Sequence, residues 1–153
     1  LAPGREEYRD SEKFQIKRWD LEQAGSLRAL ISRVNQIRRE NPAFHRNNNL
    51  RFHEVDNEQI LAFSKSSGDL SNQVLVVVNL DPHHVQTGFI KLPLDELRLD
   101  AHQPYQVHDA LTGARYLWNG SRNFVSLDPR AVPAHVFVIR RKVRTEHDFD
   151  YFL

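Results

Sequence analysis

Eight short runs rich in β-formers, each closed by a turn signal, occupy the sequence from Leu50 to Arg141 and leave little choice of fold. They are LRFHEV (50–55), ILAFSKS (60–66), QVLVVVNL (73–80), VQTGFIKL (85–92), YQVHDAL (105–111), ARYLWNG (114–120), NFVSLD (123–128) and AHVFVIRR (134–141). Between them stand Asp56-Asn57, Ser67-Gly68-Asp69, Asp81-Pro82, Thr112-Gly113, Gly120-Ser121 and Asp128-Pro129, residues that supply the backbone angles of turns. Strands this short at this spacing predict a mainly β chain, an eight-stranded antiparallel β-sandwich. VLVVV does not alternate, so it predicts a central strand covered on both faces. PLDELRLD (93–100) reads as a loop with one helical turn.

Ahead of the strands the texture differs. Residues 1–24, LAPGREEYRDSEKFQIKRWDLEQA, repeat at neither 2 nor 3.6 residues and read as an extended or looped segment. Leu27, Leu30, Ile31, Val34 and Ile37 then form the stripe of an amphipathic helix. Ser26 suits the N-cap, Arg38 and Arg39 suit the negative end of the dipole, and Pro42 stops the helix by about Asn41. Arg28, Ser32, Asn35 and Gln36 make its wet face. Exposed branched aliphatics would each forgo about 1.5–3 kcal/mol, so the stripe is expected to pack on the sandwich or on a second copy of the chain. The sequence opens on Leu1 and holds no methionine, which points to an internal or C-terminal piece of a longer protein.

Composition excludes several classes. Lys and Arg number 21 against 20 Asp and Glu, and the one dense basic run, Arg140-Arg141-Lys142 with Arg144 behind it, reads as a solvated strand end. No nucleic-acid partner is expected. No apolar run approaches the roughly 18 residues that span a bilayer, so no membrane partner is expected either. Cysteine is absent, which removes disulfides and thiolate chemistry and suits a cytoplasmic protein.

Four constellations invite a chemical reading. His83-His84 could hint at a metal, but neighbours on a strand point to opposite faces, and a hairpin turn explains them better. His108-Asp109 is half of a triad without a nucleophile in motif context, so it is expected to order a turn through side-chain to backbone hydrogen bonds. Asn47, Asn48 and Asn49 read as a polar connector. Tyr116 and Trp118 share one face of a strand. Exposed, they could stack on a sugar; buried, they join the two sheets, which is the preferred reading.

Several segments resemble one family. EEYRDSEKFQIKRWD (6–20), LRALISRVNQIRRENPAF (27–44), YQVHDALTGARYLWNG followed by NFVSLDP, and EHDFDYFL (146–153) are similar to the C-terminal end of the α-1,4-glucan:maltose-1-phosphate maltosyltransferases of the α-amylase superfamily. The likeness covers essentially the whole chain. It implies that residues 1–24 are a loop from the end of a catalytic (β/α)8 barrel, that 25–44 are its last helix with a connector, and that 45–153 are the C-terminal sandwich called domain C. The implied partners are that upstream barrel, maltose 1-phosphate and α-glucan, with a homodimer open. No cofactor or metal is implied.

The family reaction transfers a maltosyl unit with retention, which requires two carboxyl groups flanking the scissile bond. In amylase relatives these lie on barrel strands upstream of the segments matched here, so this chain alone is expected to be inactive. The resemblance makes Lys13 the lysine of the SEK motif that contacts the bound maltosyl unit. Phe14 stands where the family pattern has tyrosine; its ring can stack on sugar, without the hydroxyl hydrogen bond. Two other readings stay open: the C-terminal domain of another amylase-family hydrolase, and a stand-alone glucan-binding sandwich.

Overall fold

The computed structural model of the chain describes residues 16, 18 and 20–140. The chain parts into two compact units, residues 1–32 and 33–153. In the first, Asp20 accepts the Glu22 amide, the Ser26 amide donates to the Gln23 carbonyl, and Ser26 Oγ accepts the Arg28 amide at 3.3 Å. That contact is the expected cap. It starts helix α1 (Arg28–Glu40), and a 3-10 turn at Pro42–His45 follows.

The eight predicted runs are the eight strands: β1 (Leu50–His53), β2 (Ile60–Ser66), β3 (Gln73–Asn79), β4 (Gln86–Lys91), β5 (Tyr105–Asp109), β6 (Arg115–Trp118), β7 (Arg122–Leu127) and β8 (Ala134–Arg140). The helical turn expected within 93–100 is α2 (Leu94–Leu97). All strand pairs are antiparallel. Six strands form one sheet in the order β1-β2-β3-β8-β5-β6, and β4 pairs with β7 in a second. As its unbroken apolar run predicts, β3 lies inside the large sheet, with Val74, Leu75 and Val77 buried.

The core fills the space between the layers. Ile60, Ala62, Leu75, Val77, Tyr105, Val107, Phe137 and Ile139 of the large sheet meet Ile90, Val125 and Leu127 of the small one, and Leu97 and Leu99 close one side. After β1 the chain crosses to the small sheet: Lys91 N–H donates to the Glu54 carbonyl, Asp56 N–H donates to that of Phe89, and Val55 bridges Ile90. This crossing needs Gly88, where a Cβ would lie 3.1 Å from Asp56 Oδ1 and 3.2 Å from Val55 Cγ1.

The helical stripe is buried in part in the single chain, and its packing on a second copy is a question for the oligomeric state. Of the helical stripe only Ile37 is buried; Leu27, Leu30, Ile31 and Val34 stay 47–63 % exposed. The face of α1 held by the sandwich carries Arg33 and Ile37, an i, i+4 pair that takes in only the last residue of the stripe.

Candidate functional site

Asp109 is the only buried carboxylate among the described residues. It ends β5, and the chain turns at once through 110–114, where Gly113 adopts φ +81° in the left-handed region. The Asp109 carbonyl accepts the Gly113 amide, and its own N–H reaches the Ala114 carbonyl. One carboxylate oxygen accepts the amides of Leu111 at 3.1 Å and Val136 at 3.0 Å. The other accepts Thr112 Oγ1 at 2.6 Å and His135 Nδ1 at 2.9 Å. Burial opposes the charge, but these donors, His135 first, outweigh it and hold the carboxyl down to about 2. A carboxylate so engaged cannot serve as nucleophile or base. It braces the β5–β6 turn against the start of β8.

The same turn holds the helix. Arg33 donates from Nε at 2.8 Å and from Nη2 at 2.5 Å to the Ala110 carbonyl, while the Ala110 amide donates to the Val136 carbonyl at 2.8 Å. Further along, asparagines fix the 3-10 turn. Asn41 Nδ2 reaches the Ile37 carbonyl, Asn72 Nδ2 reaches Asn41 Oδ1, and Asn72 Oδ1 accepts the Ala43 amide. Between the second half of α1 and the outer face of the large sheet lies an apolar cleft of about 440 Å³, lined by Val34, Ile37, Phe44, Leu50, Phe63 and Val136 among others.

Lys13 and Phe14 lie outside the described residues. Among the described residues no cluster of His, Asp and Glu could hold a metal. His83 and His84 belong to a turn organised by Asp81, which accepts both amides and His84 Nδ1. The His83 amide first, then the His84 ring, holds the Asp81 carboxyl down to about 2. Of the predicted pair His108-Asp109, the aspartate orders its turn as expected. His108 points elsewhere, pairs with Gln106 at 3.0 Å, and is held below its ordinary value by burial and by Arg115 and Arg140. Asn49 bonds the Ala43 and Ser66 carbonyls, so the asparagine connector is a tie. Tyr116 and Trp118 part company: Trp118 sits in the core against Phe137, and Tyr116 is 41 % exposed, edge-on to His135 and Phe137. They are no joint sugar platform. Sequence reasoning missed the Arg33–Ala110 link. No local pattern carries it, since a tie from Arg33 to a distant carbonyl looks like any polar position on a helix.

The described residues define a mainly antiparallel β-sandwich domain preceded by one helix, with Asp81 and Asp109 spent on turns. A solved α-amylase from Anoxybacillus shares the fold, with a TM-score of 0.58 and 13 % identity over 82 % of this chain and 25 % of that one. A profile of the family described as GLGE, C-terminal, matches residues 52–139, and the chain belongs to that family. Among curated relatives, α-1,4-glucan:maltose-1-phosphate maltosyltransferase 2 of Streptomyces coelicolor is 50 % identical over 92 % of this chain. The maltosyltransferases of Corynebacterium glutamicum and Myxococcus xanthus are 47 % identical over 91 % and 40 % identical over 98 %. The chain spans about a fifth of the length of these relatives.

Proposed function

We propose that this chain is the C-terminal part of an enzyme that moves maltosyl units from maltose 1-phosphate to α-1,4-glucan, and that its sandwich supports a catalytic barrel encoded upstream. The observation that carries this reading is 40–50 % identity, over nine-tenths of the chain or more, to enzymes of that name. The bare stripe of Leu27, Leu30, Ile31 and Val34 supports it, as does the apolar cleft beside Val34. Both are surfaces for the upstream domain to cover. Residues 1–24 then follow the last barrel strand, where the loops of such barrels line the active site. Residues 25–44 are the last barrel helix and its connector, and 45–153 the supporting domain. The reacting carboxylates belong to the barrel, and the chain alone is inactive. The product is a storage glucan of the glycogen type, made in the cytoplasm.

In this reading Lys13 donates to the bound maltosyl unit, and Phe14 lays its ring beside it. The test is transfer from maltose 1-phosphate by the full-length protein. Lys13→Ala removes a charge-assisted hydrogen bond worth about 1.5–3 kcal/mol, so kcat/KM falls roughly tenfold to a hundredfold while folding is unchanged. Phe14→Tyr leaves activity equal or better. Absence of transfer by the full-length protein would overturn the function, and a Lys13→Ala loss within about twofold would overturn the donor contact.

A further inference from the structure

We propose that the outer face of the β4-β7 ribbon binds an α-1,4-glucan chain; the choice of ligand rests on the acceptor proposed above. Gly88, Ile90, Asn123, Val125 and Leu127 turn inwards and are buried, so the alternate residues face water. Register sets these in cross-strand pairs: Thr87 opposite Ser126, Phe89 opposite Phe124, and Lys91 opposite Arg122. The strand rise spreads the three pairs over about 13 Å. In the middle pair the rings meet edge to face, 5.4 Å between centroids, and Phe124 is 53 % exposed. A single exposed ring is ordinary. This one is set apart by what is built beside it. Arg122 lies over Phe89, 3.8 Å from the ring centre, and donates to Asp56 at 2.9 Å. Asp56 is fixed in turn, because its other oxygen accepts the Phe89 amide at 2.6 Å. The Arg122 side chain is nevertheless 63 % exposed. A surface arginine ordinarily gives up side-chain freedom when it binds. Here ring and carboxylate have already taken that freedom, and the exposed edge of the guanidinium is set to donate.

The charge on this face selects the ligand. Lys91 pairs with Glu54 at 3.7 Å as Arg122 pairs with Asp56, so two cations stand against two carboxylates. A balanced surface gathers ions of neither sign. It suits an uncharged ligand that both donates and accepts hydrogen bonds and has an apolar side to lay on a ring. A pyranose is made that way, with C–H groups on its faces and hydroxyls round its edge. A glucan repeats the unit: one sugar rests on Phe124 while its neighbours reach the Thr87 and Ser126 hydroxyls at one end and Arg122 at the other. Arg33 and Ile37 hold α1 to the outer face of the large sheet, where the apolar cleft lies. A domain that covers that cleft leaves the opposite layer of the sandwich open.

The experiment titrates this chain, labelled with nitrogen-15, with maltoheptaose and separately with cellohexaose, and follows the backbone amides by NMR. Maltoheptaose is expected to give saturable shifts centred on residues 87–91 and 122–126. Phe124→Ala should weaken binding about fivefold or more, and Arg122→Lys about threefold, since a point charge cannot replace the planar fork. Unshifted amides in the large sheet show that each variant is folded. No saturable shift, shifts centred on the large sheet, equal binding by both variants and the unaltered chain, or tighter binding of cellohexaose would each overturn the inference. In the full-length protein Phe124→Ala should raise the KM for a long glucan and leave the KM for maltose 1-phosphate within about twofold. A larger fall in Tm there than in this chain would mean that another domain covers the ribbon, which also overturns it. Glucan binding by the chain without transfer by the full-length protein would sink the function proposed above and leave the site standing. Transfer without binding would sink this inference alone.

Discussion

Asp109 is a charge set in an apolar layer, and four donors keep it there as a carboxylate. Its folded value of about 2 lies below the ordinary 3.8. A carboxyl depressed in this way stabilises the fold fully above about pH 4 and loses that contribution as pH falls towards 2, a change on the order of 2 kcal/mol. Asp69 and Asp81, also held at about 2, share the same acid limb, so the contribution of Asp109 is read by difference. Asp109→Asn strands buried donors and should cost about 3 kcal/mol at pH 7. Urea midpoints at pH 7, 4 and 2.5 measure it. The variant should start lower and fall less steeply in acid, and parallel acid limbs would contradict the assignment. The sequence made the aspartate legible as a turn organiser, because turn residues follow it directly. Its partner was not legible. His108 is adjacent in sequence but lies on the opposite face of β5, whereas His135 comes from β8, brought alongside by pairing of Asp109 with Phe137.

At the scale of elements, every strand was legible and the helix only half so. Strands announced themselves because each run is bounded by turn chemistry and alternates, or fails to, according to the layers that cover it. In α1 periodicity located the stripe correctly but not what it faces, since one apolar face and one polar tie look alike in sequence. Arg33 and Ile37 hold the helix to the sandwich, and the other four stripe residues remain exposed. Serine at Leu30, Ile31 and Val34 should therefore change the unfolding free energy of this chain by only about 0.5 kcal/mol per site. The same triple change should make the chain more soluble and, if the proposed upstream domain covers the stripe, lower the Tm of the full-length protein. Denaturant melts and sedimentation velocity of the chain decide it. A large loss of stability, or a dimer of the unaltered chain that the triple variant dissociates, would mean that a second copy covers the stripe instead.

At the scale of the molecule, spacing predicted a sandwich but not its division into six strands and two, nor the strand order. Order depends on which edges meet after collapse, and local pattern carries no record of it. The late strand β8 lies between β3 and β5 and joins β1-β2-β3 to β5-β6. A chain ending at Pro133 should lose both joins and the core residues Phe137 and Ile139. Pulse proteolysis should find it cleaved throughout, while the chain through Leu153 resists; protection of the shorter chain would refute this. The placement of β8 also sets a timetable. A ribosome delivers about 5–20 residues per second, so two ribbons wait side by side until residues 134–140 clear the exit tunnel. Only then can the sheet close, and pairing across such separations is slow. A premature stop or a frameshift between Trp118 and Ala134 thus leaves two open sheet edges for chaperones and proteases to find, and the strand made late serves as the proofreader of the message that encoded it.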